Sequence, residues 1–232
     1  MKLCMFRPVA EPMERGWVGR LDGDHVVQLA AQKLESYFTG GGTAREHAVY
    51  PLSVVRLLAP VLHPPSIRVF DDETSFEFAN PAAVVGPGAA IASDRPLELL
   101  PRLAAVVGLD GALGGFTAFG EWRRPGAPVP KDRDFALSLG PVVVTPDALA
   151  AELTSVVHVD GDERLQGRLD GFAWSAARDL AARGTVLRPG DLLAGPAAGR
   201  VDAIPPGTLV ELDVTGIGTL SGRTRQTTAR GT

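Results

Sequence analysis

Asp132-Arg133-Asp134-Phe135-Ala136-Leu137-Ser138-Leu139-Gly140-Pro141-Val142-Val143-Val144-Thr145-Pro146-Asp147 is the stretch on which the fold turns. Its Pro141–Thr145 segment reads as a strand bounded by turn residues. The same texture recurs on both sides of it. Ser66–Phe70, Phe76–Ala79, Ala82–Val85, Ala104–Gly108, Ser155–Val159, Glu163–Arg168, Leu209–Thr215 and Gly218–Arg223 are all strand-like, and Met1–Ala10 adds a short N-terminal strand. Gly86-Pro87-Gly88, Asp160-Gly161-Asp162 and Pro189-Gly190-Asp191 are turns between them.

Three helices are expected. In Val26–Phe38 the residues Val27, Ala30, Ala31, Leu34 and Phe38 share one face, and Gly40-Gly41-Gly42 stops the helix. A short, Gly-laced helix is expected at Leu113–Phe119. Phe172–Arg183 carries the apolar stripe Ala173, Ala176, Ala177 and Leu180, with Gly184 as its C-cap. Many short strands with few helices imply a β-rich α+β sandwich or roll. Three prolines between Pro60 and Pro65 rule out regular structure there and read as a linker. The expected organisation is therefore a small N-terminal domain over 1–60, a main domain over 61–223 and a flexible tail over 224–232. Fraying is expected from Arg223 on.

At 232 residues and 45% hydrophobic, the chain is long enough for one large domain with a small appendage. No apolar run approaches the roughly 18 residues that cross a bilayer, and no signal-peptide pattern opens the chain. A cytoplasmic location with no membrane partner is the expectation. A net charge of −4 without a basic block argues against a nucleic-acid partner. The lone Cys4 excludes an intramolecular disulfide and a cysteine zinc site, and reads as a small buried hydrophobe. His25, His47, His63 and His158 share no ligand spacing. Gly40-Gly41-Gly42 and the run from Gly108 to Gly115 lack the Lys-Ser/Thr of a phosphate loop.

Three segments in order carry a family resemblance. Phe78-Ala79-Asn80-Pro81-Ala82-Ala83-Val84-Val85-Gly86-Pro87-Gly88, the Asp132–Asp147 stretch, and Leu187-Arg188-Pro189-Gly190-Asp191-Leu192-Leu193 followed by Leu209 to Gly222 together resemble the fumarylacetoacetate hydrolase family. The resemblance covers roughly residues 60 to 223. It implies a mixed β-sandwich roll with a small N-terminal domain, and a homodimer. Such enzymes cleave or rearrange C–C bonds beside a keto or enol group. A magnesium or calcium ion held by carboxylates stabilises the developing enolate.

The resemblance also implies acids at positions where this chain has others. An aspartate belongs after Ile67-Arg68, where Val69 stands. A Glu-x-Glu pair belongs before Leu103-Ala104-Ala105-Val106-Val107-Gly108, where the slots read Leu100 and Arg102. An aspartate belongs in Gly115-Phe116-Thr117-Ala118-Phe119-Gly120-Glu121-Trp122-Arg123-Arg124, where Glu121 stands. One acid, one arginine and two aliphatic side chains do not make a near-octahedral oxygen cage, so neither metal nor other cofactor is expected. The family's water-activating histidine has no counterpart between Arg68 and Phe76, its lysine is Arg133, and its turn threonine is Pro196. Ordinary hydrolysis is not expected.

What remains points to a metal-independent enzyme acting on a keto, enol or polyketide-like small molecule. Lyase, isomerase or cyclase chemistry in specialised metabolism all fit. Arg102, Glu121 and Glu77 are the candidate catalytic residues; Trp122, Arg133, Phe76, Val69 and Leu100 are the candidate substrate-binding residues. Arg102 either binds a substrate carboxylate or enolate, or forms a buried bridge to Glu121, or lies at the surface if the strand register is shifted by one residue. Glu77 is either an acid or base in an apolar cavity or part of an exposed strand face. Asp71-Asp72-Glu73 reads as a solvated turn or a relocated metal site. Arg133 keeps a positive charge, with anion binding as the lesser of its readings, His47 is a minor candidate for reaching over the cleft, and Trp122 is expected to fill the volume of the lost metal shell. Two other readings stand beside this one: a non-catalytic binding or structural subunit, and a conventional metal-dependent hydrolase whose ligands lie elsewhere.

Overall fold

The computed structural model describes residues 1–11, 13 and 15–227. The chain opens with an antiparallel meander of β1 (Lys2–Pro8), β2 (Trp17–Asp22) and β3 (His25–Leu29), then α1 (Leu34–Thr39), β4 (Glu46–Pro51) and β5 (Val55–Leu58), which returns to β1. After the prolines come β6 (Ile67–Val69), β7 (Glu77–Ala79), β8 (Val84–Val85), β9 (Ala89–Ser93) and the long hairpin of β10 (Leu97–Val107) and β11 (Leu113–Arg123). Next are β12 (Leu137–Val144), β13 (Thr154–Val159), β14 (Asp162–Arg168) and α2 (Trp174–Ala182). The last strands are β15 (Leu192–Ala194), β16 (Val201–Ile204), β17 (Leu209–Val214) and β18 (Gly218–Gln226).

The strands form two sheets, as a β-rich sandwich or roll requires. One has thirteen strands in the order β4-β3-β2-β1-β12-β11-β10-β15-β6-β7, with β5, β8 and β16 paired to β1, β12 and β10. The other has five, in the order β14-β13-β17-β18-β9. Alternation along β10 feeds two cores. Leu97, Leu99, Leu103, Ala105 and Val107 join Trp122, Val157, Leu212 and Leu220 between the sheets. Ala104 and Val106 face the other way, with Phe119, Leu139, Val143 and the α1 residues Leu34, Tyr37 and Phe38. A strand buried on both faces reads as one apolar run, which is why only Ala104–Gly108 of β10 is recognisable in the sequence.

One expected helix is cut short by strand and another is replaced by it. Val26–Phe38 divides: its first residues are β3, with Val26 opposite Leu21 and Tyr50, and only Leu34–Thr39 is helical. Leu113–Phe119 is the first half of β11, registered from Leu113↔Val107 to Arg123↔Glu98. The glycines there mark close approach, not helix. A Cβ on Gly115 would sit 2.5 Å from Val143 Cγ1. The third helix matches α2. Residues Arg223–Gln226, expected to fray, continue β18 beside Ala90–Ser93, whereas 228–232 lie outside the described residues. Lys2 and Leu3 pair with Val144 and Val143, so the N-terminal meander and the remainder share a sheet. The proline stretch has no regular structure but is packed down, with Val61 fully buried. Among the described residues no helix is long and apolar enough to cross a membrane.

Cys4 is fully buried in β1, and burial pushes its thiol up to about 12. At about pH 8 only about one thiol in 10⁴ would be ionised. A thiol reagent is therefore expected to leave the native chain untouched and to titrate the cysteine only after denaturation. Rapid labelling of the folded chain would contradict this burial.

Candidate active site

The register of the long hairpin builds the site. Leu100 lies opposite Glu121, Arg102 opposite Phe119, and Leu99 opposite Trp122. Side chains alternate across a strand, so Leu100, Arg102, Glu121 and Arg123 share one face, while Leu99 and Trp122 point away from it. Val69 and Glu77 oppose each other between β6 and β7 and look the same way as Arg102.

Arg102 is 1% exposed and almost fully engaged. Its Nε donates to Glu121 Oε2 at 2.8 Å. Nη1 donates to the carbonyls of Phe70 (3.0 Å) and Gly195 (2.9 Å), just beyond β6 and β15, and Nη2 donates to Asp71 Oδ1 at 2.9 Å. Glu121, 2% exposed, accepts at Oε1 from Arg123 Nε at 2.9 Å, with Arg123 Nη2 at 2.8 Å. The result is a charge chain running Arg123–Glu121–Arg102–Asp71. Both central groups are desolvated, and the carbonyl hydrogen bonds are what make burying a guanidinium tolerable.

Arg133 pairs with Glu77, and its Nε lies 3.5 Å from Asp132. Partial burial works against its charge, but Glu77, Asp132 and Glu121 together hold its pKa above the ordinary guanidinium value. The field of Glu121 thus reaches a third arginine. Val69 and Leu100 are half-buried beside these charges.

Six of the eight expected site residues are therefore brought together: Arg102, Glu121, Glu77, Arg133, Val69 and Leu100. Two are not. Trp122 lies in the core between the sheets and donates from Nε1 to Ser138 Oγ at 2.9 Å. As the neighbour of Glu121 in a strand, it cannot line the same cavity. Phe76 packs on Phe70 (5.3 Å between centroids) and Phe78 (5.5 Å), with the Arg68 guanidinium 5.6 Å from its ring. The Glu77 side chain is 69% exposed, which excludes an acid or base in an apolar cavity. His47 is exposed on β4, at the opposite end of the strand order from β7.

Arg123 was legible, because two residues past Glu121 on a strand means the same face. Asp71 was not, since only the fold brings it to Arg102. A second buried ion pair also lacked a signal. Asp191, 2% exposed, accepts from Ser66 Oγ and Arg188 N, both at 2.7 Å, with Arg68 Nη1 at 3.7 Å, and so ties β6 to β15 beside the site.

The donor set does not fit a divalent ion. Glu121 has both oxygens on arginines and Glu77 is paired with Arg133. Asp72 accepts from Thr74 N and Oγ1, which hold its carboxyl below the usual range, and Glu73 accepts from Ala173 N at 3.4 Å. Among the described residues no three His, Cys, Asp or Glu side chains are grouped to hold a metal. Magnesium requires several free oxygens in octahedral array.

Fold and site together define a β-roll scaffold whose centre is an ion-pair network. Residues 121–225 match the family model described as fumarylacetoacetate (FAA) hydrolase C-terminal. The fold resembles maleylpyruvate hydrolase from Sphingobium sp. SYK-6, solved with manganese(II) and pyruvate (TM-score 0.79, 18% identity, covering 98% of this chain and 100% of that one). It also resembles 2-hydroxyhepta-2,4-diene-1,7-dioate isomerase from Mycobacterium marinum (0.78, 23%, 100% of both). A third likeness is fumarylacetoacetate hydrolase from psychrophilic Exiguobacterium antarcticum (0.76, 20%, 98% and 100%). No curated protein matches the chain.

Proposed function

We propose that this chain is a metal-independent enzyme of fumarylacetoacetate hydrolase type, acting on a small keto, enol or polyketide-like anion by isomerase, lyase or cyclase chemistry in specialised metabolism. The observation that carries the proposal is the Arg102–Glu121 bridge of 2.8 Å, buried where the family resemblance calls for carboxylates around a cation. A guanidinium repels a dication from that position. The groups left to meet a ligand are Arg123 and Arg133, whose side chains are 25% and 20% exposed, next to Val69 and Leu100. Each can turn its planar fork from an acid partner to a substrate carboxylate or enolate oxygen. With no activated water, the chemistry reduces to holding a reactive conformer and stabilising an enolate.

One observation favours the second reading, a non-catalytic binding or structural subunit. Arg102 commits four of its five N–H donors to the protein, which leaves the centre closed. The discriminating measurement is exchange of the C3 protons of 2-oxo acids in D₂O with EDTA present, followed by NMR. The enzyme reading expects chelator-insensitive exchange that Arg133→Gln slows by roughly tenfold or more. No exchange across a panel of such acids would leave the binding reading. Tightly held, near-stoichiometric magnesium or manganese in the purified protein would overturn both.

A further inference from the structure

A second cavity lies apart from this network, between β1, the turn entering α1 and the proline stretch. It measures about 90 Å³ and is lined by the apolar Met5, Pro60 and Leu62 and the polar Arg15, Gln32, Lys33, Glu35 and His63. Its floor is unusual. Glu35 is 8% exposed, and its ion-pair partner among the described residues is Lys33 Nζ at 3.7 Å, too far for a hydrogen bond. Gly190 makes room for it: a Cβ there would sit 2.7 Å from Glu35 Cγ and 3.0 Å from Oε1. The carboxylate is half of a loose ion pair and keeps a small opening to the cavity, where a donor from outside can reach it.

The rim has the opposite character. Arg15, Lys33 and His63 are exposed, and the guanidinium of Arg15 and the ammonium of Lys33 make the rim positive, with the Lys33 side chain 65% exposed. The volume holds about three waters, so the guest is small. It must offer a positively charged donor to the floor and a negative group to the rim, a few bonds apart, with any apolar part toward Met5, Pro60 and Leu62. We propose that this cavity binds a short zwitterion of the α-amino acid type, its ammonium on Glu35 and its carboxylate between Lys33 and Arg15. The site involves none of the residues of the Arg102 network, so it stands whatever reaction that network supports.

The test is titration of the full chain with glycine and L-alanine, followed by calorimetry or amide shifts in NMR, beside acetate and methylamine as half-ligands. Saturable binding is expected for the amino acids, with each half-ligand weaker by roughly ten- to a hundredfold. Glu35→Gln, and separately Lys33→Met, are each expected to weaken binding by roughly tenfold or more. A thermal melt first establishes that Glu35→Gln is folded. If it is not, Lys33→Met and Arg15→Gln, both at exposed positions, decide the matter. Failure of the amino acids to saturate, acetate binding as well as glycine, or unchanged affinity in the folded variants would overturn the proposal.

Discussion

Arg102→Met is expected to lower the stability of the chain by about 3–5 kcal/mol, more than any other single change in the site. The substitution keeps most of the side-chain volume but removes the cation. It leaves Glu121 Oε2 buried without a donor and takes hydrogen bonds from the carbonyls of Phe70 and Gly195. Arg123 still neutralises the other oxygen of Glu121, which argues for the lower part of the range. Denaturant unfolding is the measurement, with the midpoint falling and the slope unchanged. Arg102→Met with Glu121→Leu should recover much of the loss, because an apolar pair removes the stranded charge. Asp71→Asn is the control. That side chain is 83% exposed, so the change should cost less than about 1 kcal/mol. A folded Arg102→Met variant as stable as the parent would show that the network carries no stability.

The second large effect is a gain. Combining Leu100→Glu, Arg102→Glu and Arg123→Ala is expected to create a manganese site. Leu100 is directly opposite Glu121, and position 102 lies two residues along the same face, so three carboxylates would converge across one strand pair. Arg123→Ala removes the donor that would otherwise occupy Glu121. Binding would appear as loss of the aqueous manganese EPR signal, and metal at about a hundred times Kd should stabilise the variant by about 2.7 kcal/mol. Expression and purification with manganese present guard against the fold lost with Arg102. A folded triple variant with no affinity beyond the parent's would mean that positions 100, 102 and 121 are not the places where a cation belongs.

The fold was legible because its signals are local. The Asp132–Asp147 stretch, the Phe78–Gly88 turn and Leu187–Leu193 each state a strand and a turn within a dozen residues, and they fall in order. Leu113–Phe119 was misread because a strand buried on both faces loses its alternation, and glycine at close approach imitates a weak helix. Val26–Phe38 was misread for a related reason: an apolar stripe that fits a helix also fits β3 followed by one turn of α1. In the site, the pairing of Arg102 with Glu121 follows from family positions, but the direction of Trp122 follows from strand period alone. Asp71 and Gly195 are beyond any local rule, since they reach Arg102 from sequence distances of 31 and 93 residues.

The pairing of Lys2 and Leu3 with Val144 and Val143 has a consequence for biosynthesis. Translation at about 5–20 residues per second puts the emergence of β12 roughly 7–30 s behind that of β1. Throughout that interval the edge of β1 that will meet β12 is an open template in a nascent polypeptide. Chaperone occupancy of the first sixty residues should persist until the ribosome has passed position 144 and then fall, and a ribosome-profiling pull-down would date that release.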